Sequence, residues 1–169
     1  MAGSKSARHS KFTGDFGEIA LLYALSFNGF ECAQIDHTGI DLIAAYPKEL
    51  NCYRIGISVK TRSRIAGSES QSITFTKRDT KKAEAACKSF GLEPYAAFVV
   101  DTVEDTVIYL LPVSVFCKYR DKYGYDWKMS RKHRDEYQKD ASIAVIPRLG
   151  RGPDSHWKKV LLRTMKRTT

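Results

Sequence analysis

Apolar residues recur at helical spacing early in the chain, where Phe16, Ile19, Ala20, Tyr23 and Phe27 fall on one face. The spacing predicts a helix over 15–29 that buries this face, with Asp15 as its N-cap and Gly29 at its end. Short strands are predicted at 30–35 and at 39–46, the second closed by Pro47. Alternation is strict over 53–61: Tyr53, Ile55, Ile57 and Val59 share one side, and Arg54, Gly56, Ser58 and Lys60 the other. The turn 48–51 joins these last two strands as a hairpin. A Gly/Ser-containing loop at 62–71, expected to be mobile, and a brief strand at 72–75 lead to Thr76-Lys77-Arg78-Asp79, a capping box opening a second helix. Ala83, Ala86 and Cys87 give that helix a small face suited to lying close on a sheet, and Gly91 marks its end. Strands at 95–101 and 107–111 flank an acidic turn, and 113–118 starts a third helix or turn. Residues 119–140 are polar, basic and aromatic with weak periodicity. A last strand at 141–146, a loop at 147–153 and a basic helix at 154–167, capped by Asp154 or Ser155, complete the chain. The order α-β-β-β-α-β-β plus a basic extension predicts an α/β fold, a central mixed sheet with helices on its faces.

At 169 residues the chain has room for one domain with a real core. No apolar run approaches the ~18 residues of a membrane span. Residues 1–12 are polar and basic without the apolar stretch of a secretory signal, and read as a disordered tail. Cys32, Cys52, Cys87 and Cys117 lie in or beside apolar segments and are not paired at metal-ligand spacing, so buried, reduced thiols in a cytoplasmic protein are expected.

Charge changes the picture more than composition does. Residues 1–113 carry 13 Lys+Arg and 13 Asp+Glu, whereas 114–169 carry 15 and 6, so the whole net charge of +9 sits in the last third. A basic segment on a neutral domain points to a polyanionic partner, against the alternative of a solvated surface.

The candidate chemistry lies in the first 60 residues. Asp41 interrupts the apolar run Gly39-Ile40-Asp41-Leu42-Ile43, where an unpaired carboxylate is costly. Lys60 lies on the neighbouring strand of the hairpin, with Ser58 on the same face and the Val59 carbonyl between them. Glu18 on the first helix can approach from one side. Oxygen ligands of this kind, one or two carboxylates with a carbonyl, suit Mg²⁺. Structural readings stand beside the chemical ones: Asp15 and Glu18 are spaced as a reciprocal N-cap, and Asp41 and Lys60 can form an ion pair across the hairpin. Trp127, His133 and Tyr137 serve either base stacking or packing.

The order Glu18, Asp41, Ser58-Val59-Lys60 resembles the PD-(D/E)xK nuclease superfamily, and within it archaeal Holliday-junction resolvases. The phrases Gly17-Glu18-Ile19-Ala20, Gly39-Ile40-Asp41-Leu42-Ile43-Ala44 and Val59-Lys60-Thr61-Arg62 carry the likeness. It implies a restriction-endonuclease-like αβββαβ core within a nuclease-like unit over 13–118; the basic extension over 119–169 lies outside the likeness and is expected to pack on the same domain. It implies a Mg²⁺-dependent DNA endonuclease, with Mn²⁺ as a substitute and branched or structured DNA in its substrate range. Asp41, Glu18 and the Val59 carbonyl are then metal ligands and Lys60 the catalytic lysine. Ser58 stands where the family carries an acid. That departure keeps open a non-catalytic nucleic-acid-binding module with a degenerate nuclease site; a basic protein-interaction domain is a third class. Expected DNA contacts are Arg62 and Arg64 beyond the third strand, Lys77 and Lys81 on the second helix, Arg131 and Lys132 in the extension, and Lys158, Lys159 and Arg163 on the last helix. The resemblance extends to a homodimer, for which the sequence shows no interface.

Overall fold

The structure, a computed structural model, describes residues 7–48, 51–124, 126–151 and 156–166. Helix α1 (Ala7–Phe27) leads into strands β1 (Glu31–His37), β2 (Ile40–Lys48) and β3 (Asn51–Ser63), then a two-residue strand β4 (Ile73–Thr74) and helix α2 (Lys77–Phe90). Strands β5 (Glu93–Asp101) and β6 (Thr106–Pro112) follow, then α3 (Val113–Tyr123), the short β7 (Asp126–Trp127), α4 (Arg131–Lys139), β8 (Ala144–Pro147) and, after a 3₁₀ turn at Arg148–Gly150, α5 (His156–Lys166). A six-stranded sheet runs in the order β1-β2-β3-β5-β6-β8, and β4 pairs with β7 apart from it. β3 and β5 are parallel, joined by the α2 crossover that parallel neighbours require, and the other pairs of the large sheet are antiparallel. The expected α/β architecture, a mixed sheet between helices, is the one the chain adopts.

The alternation in β3 sorts residues onto two cores. Ile55 and Ile57 pack with Leu21, Leu25, Leu42, Trp157 and Leu161, beneath α1 and α5. On the other side Ala83, Ala86, Cys87, Phe98, Phe116, Trp127 and Tyr137 join α2, α3 and α4 to the sheet. Central β5 is buried from Tyr95 to Val100, as a strand covered on both faces must be. Trp127 stacks between Phe98 and Tyr137, with ring centroids 4.8 and 3.9 Å away. Trp127 and Tyr137 are therefore packing residues, closed to bases. His133 sits edge-on to Tyr123, its Nδ1 2.6 Å from the Ser130 hydroxyl.

Several elements depart from expectation. α1 begins at Ala7, so residues 7–12 are helical and Asp15 is interior, not a cap. Residues 1–6, and the caps expected at Asp154 or Ser155, lie outside the described residues. The face that α1 buries shares only Ala20 with the predicted one. Ala20, Leu21, Ala24 and Leu25 are buried, whereas Phe16, Ile19 and Phe27 are exposed. The cause is a close approach: a Cβ at Gly17 would collide with the Thr61 hydroxyl on β3. A helix lying this near the sheet has room for Gly and Ala beneath it but none for a row of aromatic rings. α3 runs past 118 to Tyr123, where Tyr119 donates to Asp140 (2.7 Å), and β2 continues through Pro47, which pairs with Cys52 at the hairpin end. The loop after β3 is pinned by Arg64, whose guanidinium donates to the Gln71 and Ser72 carbonyls (3.1 and 3.2 Å). Cys52 is exposed, against expectation; burial pushes the thiols of Cys32 and Cys87 up to about 11, and all four are free.

The two α1 glycines make the close approach testable. Gly14 has nothing within 4 Å of its missing Cβ, so Gly14→Ala should stabilise by about 0.5–1 kcal/mol through helix propensity. Gly17→Ala should instead destabilise by ~1–3 kcal/mol through overpacking. Urea denaturation of the two variants checks the opposite signs.

Candidate active site

The site forms where two strands part. β2 and β3 pair from Lys48↔Asn51 to Leu42↔Ile57, and there the pairing stops. On the other side of β2, the β1 register slips between Gln34↔Leu42 and His37↔Ile40, so two β1 residues oppose Asp41 alone. A bulge of this kind bends its strand and re-aims the side chain opposite. At this fork Val59, left without a β2 partner, donates its N–H to Asp41 Oδ2 at 2.6 Å. The N–H and C=O of one strand residue point to the same edge, so the Val59 carbonyl also leaves β3 on the Asp41 side.

Burial pushes Asp41 above the usual carboxylate range, against the opposing pull of the Val59 N–H and the Lys60 ammonium. Glu18 comes down from α1 and accepts from Gln34 Nε2 at 2.7 Å. It too is raised, by burial first, with Gln34 opposing and the charges of Asp41 and Asp15 adding to the rise. Glu18 thus feels the charge of Asp41 at a half-buried site. The N-cap reading of Glu18 falls away, because α1 starts eleven residues before it.

Lys60 does not pair with Asp41. Its Nζ lies 3.4 Å from Asp79 Oδ1 and 5.8 Å from the Phe75 ring centroid. Asp79 closes the expected capping box: Oδ2 accepts from the Thr76 N–H and hydroxyl, both at 2.7 Å, and the Asp79 N–H donates back to Thr76 Oγ1 at 3.2 Å. Burial alone would raise Asp79, but the Thr76 donors and Lys60 hold it below its usual value. Sequence reasoning found Asp79 as a cap and missed it as the lysine's partner; the signal was present only in the register that sets Lys60 beside the start of α2. Gly39 aids this closeness, since at φ +117 a Cβ there would strike the Lys82 carbonyl.

Ser58 is buried at 6% exposure on the Lys60 face. Had β2 and β3 stayed in register, Asp41 would face it directly. No group of three or more His, Cys, Asp or Glu side chains able to hold a metal occurs among the described residues, so no third acid stands in there for the one absent at 58. The donor set is two carboxylates and a backbone carbonyl. That fits Mg²⁺, which takes one or two carboxylates and completes its shell with water and phosphate. Each carboxylate retains an oxygen free of the hydrogen bonds above, and a cation would relieve their mutual repulsion.

The basic residues divide between the faces. Arg62, Lys77, Lys81, Arg131 and Lys132 belong to elements on or leading from the α2 face, all exposed. Arg64 is half-buried and tied to loop carbonyls, and burial holds its guanidinium below the usual value. Lys158, Lys159 and Arg163 ride on α5, across the sheet. Lys158 lies 5.0 Å from the Tyr46 ring centroid, and Tyr46 is five residues along β2 from Asp41, roughly 17 Å at strand rise. The structure does not bring these three to the fork.

Fold and fork together give an α/β protein with two neighbouring carboxylates, Asp41 and Glu18, near a lysine. The chain is similar in structure to Archaeoglobus fulgidus Hjc, a Holliday junction resolvase from an archaeal hyperthermophile, at 19% identity and a TM-score of 0.44, over 60% of this chain and 73% of that one. No protein-family profile and no curated protein sequence matches the chain. The likeness is one of chain trace, and Asp41, Glu18, Val59 and Lys60 are candidates on their own geometry alone.

Because its carboxyl binds protons more tightly folded than unfolded, Asp41 contributes an instability that grows as pH rises from about 3.8 through its raised value. Asp41→Asn keeps an acceptor for the Val59 N–H without the charge. In metal-free buffer it should melt higher than wild type at pH 7, and the gap should close as pH falls toward 4. Added Mg²⁺ should raise the wild-type melting temperature and leave the variant's unchanged.

Proposed function

We propose that the protein is a Mg²⁺-dependent DNA endonuclease, with branched or structured DNA in its substrate range. The fork carries this reading: a bulge, a strand separation and a helix glutamate converge on one carboxylate pair, which is left half-buried and raised in pKa. Ion-pair networks built for stability neutralise such acids instead. In this reading Asp41, Glu18 and the Val59 carbonyl hold the ion. Bound Mg²⁺ supplies neutralisation of phosphate charge and a water acidified for attack. Lys60 exchanges Asp79 for substrate and stabilises negative charge at the reacting phosphate. Gln34 holds Glu18 in place, and the Val59 N–H fixes the rotation of Asp41. Lys77 and Lys81, on the first turns of α2, position the backbone.

Ser58 supports a second reading, a nucleic-acid-binding module whose nuclease site has lost an acid. One metal-ligating charge is missing where β2 and β3 part, and Lys60 already has a carboxylate partner.

Cleavage of plasmid, single-stranded and four-way-junction DNA with Mg²⁺ or Mn²⁺ separates these. Under the first reading wild type cuts, Asp41→Ala falls to background and Lys60→Ala loses about a hundredfold or more. Equal activity of wild type and Asp41→Ala would sink it. An inert wild type that binds DNA and gains metal-dependent cleavage on Ser58→Asp would establish the second.

Binding should follow the division of charge between the faces. Reversing Lys77 and Lys81 should flatten the slope of log K against log salt by about 2, at ~0.9 per phosphate contact. Reversing Lys158, Lys159 and Arg163 should change it by less than about 1. Titrations over a salt series, with circular dichroism confirming the fold, check the difference.

A further inference from the structure

A second cleft lies on the flank of α1 away from the fork. It encloses about 600 Å³ between Tyr23 on α1, the β5–β6 turn at 102–106, and the turn after β8 that carries Arg148 and Arg151. Small-molecule sites occupy roughly 300–1,000 Å³. Tyr23 stands five residues beyond Glu18, ~7.5 Å along the helix and about 140° around it. Glu18 is turned toward β1, so fork and cleft open on different sides of α1.

The turn after β8 is strained. Arg148 and Leu149 have φ of 48 and 53, a left-handed conformation that a side chain makes costly, and Gly150 continues it at φ 72. Gly150 is wedged beneath Asn28 and Trp157, where a Cβ would come within 3.1 and 3.2 Å of their side chains. The Arg151 N–H donates to the Arg148 carbonyl at 3.1 Å, and residues three apart in so tight a turn lie over one another. Both arginines therefore stand on one wall of the cleft. Arg151 is fixed on Tyr23: its Nε and Nη2 donate to the phenol oxygen at 2.9 and 2.5 Å, and its guanidinium lies 5.3 Å from the ring centroid. The opposite wall is the β5–β6 turn, with Val103 78% exposed at its tip. The Asp105 carboxylate is engaged within that turn, accepting from the Thr106 N–H at 2.8 Å, while Glu104 is exposed. The fork uses none of these groups, and backbone strain at non-glycine residues gathers at ligand clamps.

The two walls ask for a ligand with unlike ends and a flat middle. Guanidiniums bind phosphate through paired hydrogen bonds. Arg151 also stacks on aromatic planes, and the bare Val103 side chain covers the other face of a ring placed between them. Glu104, an acceptor only, matches the N–H groups of a base or the hydroxyls of a sugar. A small inorganic anion would satisfy the arginines alone and meet the carboxylates of the opposite wall. We propose that this cleft binds a nucleoside phosphate, free or at the end of a nucleic-acid strand, with Arg148 and Arg151 on the phosphate and the base between Arg151 and Val103. The proposal does not depend on the nuclease reading, because no residue of the fork takes part in it.

Titration calorimetry of the full chain in metal-free buffer tests it. The probes are GMP, AMP, guanosine, inorganic phosphate, and one short oligonucleotide with and without a 5′-phosphate. A phosphorylated probe should bind at least about tenfold more tightly than its unphosphorylated counterpart and than phosphate alone. GMP or AMP binding as tightly as the phosphorylated oligonucleotide identifies a free nucleotide as the ligand; binding of that oligonucleotide alone identifies a strand end. Arg151→Ala and Val103→Asp should each weaken binding at least about tenfold with unchanged near-UV circular dichroism, since both side chains are exposed. Arg148→Gly separates binding from folding. Glycine suits φ 48, so this variant should melt at or above wild type while its affinity falls at least about tenfold. Asp41→Ala should bind as wild type does. The proposal is overturned if no phosphorylated probe outbinds its unphosphorylated counterpart, or if inorganic phosphate binds as tightly as the nucleotides. Binding indifferent to Arg148→Gly and Val103→Asp, or abolished by Asp41→Ala, overturns it equally.

Discussion

Where β2 leaves β3, the backbone N–H of Val59 has no strand partner, and the Asp41 carboxylate takes it at 2.6 Å. A buried donor without a partner is costly, and so is a buried carboxylate; each here reduces the other's penalty. The bond bridges the point where the two strands part, and it fixes the rotation of the one acid that both adjacent strands address. The β1 bulge, the Glu18–Gln34 contact and the approach of Lys60 are arranged around that opening.

The arrangement leaves the two acids poorly neutralised. Burial raises both Asp41 and Glu18, and the charge of Asp41 adds to the rise of Glu18. The nearby lysine, which would settle the balance, is instead held by Asp79 at the start of α2. An acid pair kept raised beside a lysine with another partner is a local conflict of the sort that proteins tolerate at functional sites and remove elsewhere. Ser58 moderates the conflict, since a third carboxylate opposite Asp41 would deepen it in the absence of a cation.

α1 serves two surfaces at once. Its Gly17, Ala20, Leu21, Ala24 and Leu25 side lies close on the sheet and delivers Glu18 to the fork. Its aromatic side faces solvent. Both run at helical period on nearly opposite sides, so a rotation of the helix by a little under half a turn would exchange them. The collision that a Cβ would meet at Gly17 against Thr61 decides which stays inside. α5, which carries much of the excess positive charge, buries Trp157, Val160, Leu161 and Met165 against the same core, so its basic face is the outer surface of a packed helix at a distance from the fork.

Much was legible in the chain alone. Period-two alternation identified β3 and sorted its side chains onto two faces, because side chains on a strand can point only two ways. Thr76 and Asp79 identified the start of α2, because a capping box is satisfied within four residues. Asp41 and Lys60 stood out as charges in apolar strands. Three things were decided only by tertiary packing. The inward face of α1 was one, since two apolar stripes of equal period are indistinguishable until a neighbour selects the one that fits. The partner of Lys60 was another, since Asp79 lies nineteen residues away and meets it only through the α2 crossover. The third was the separation of the basic residues onto opposite faces: charge is counted along a sequence, but it acts through distance, and distance is set by the fold.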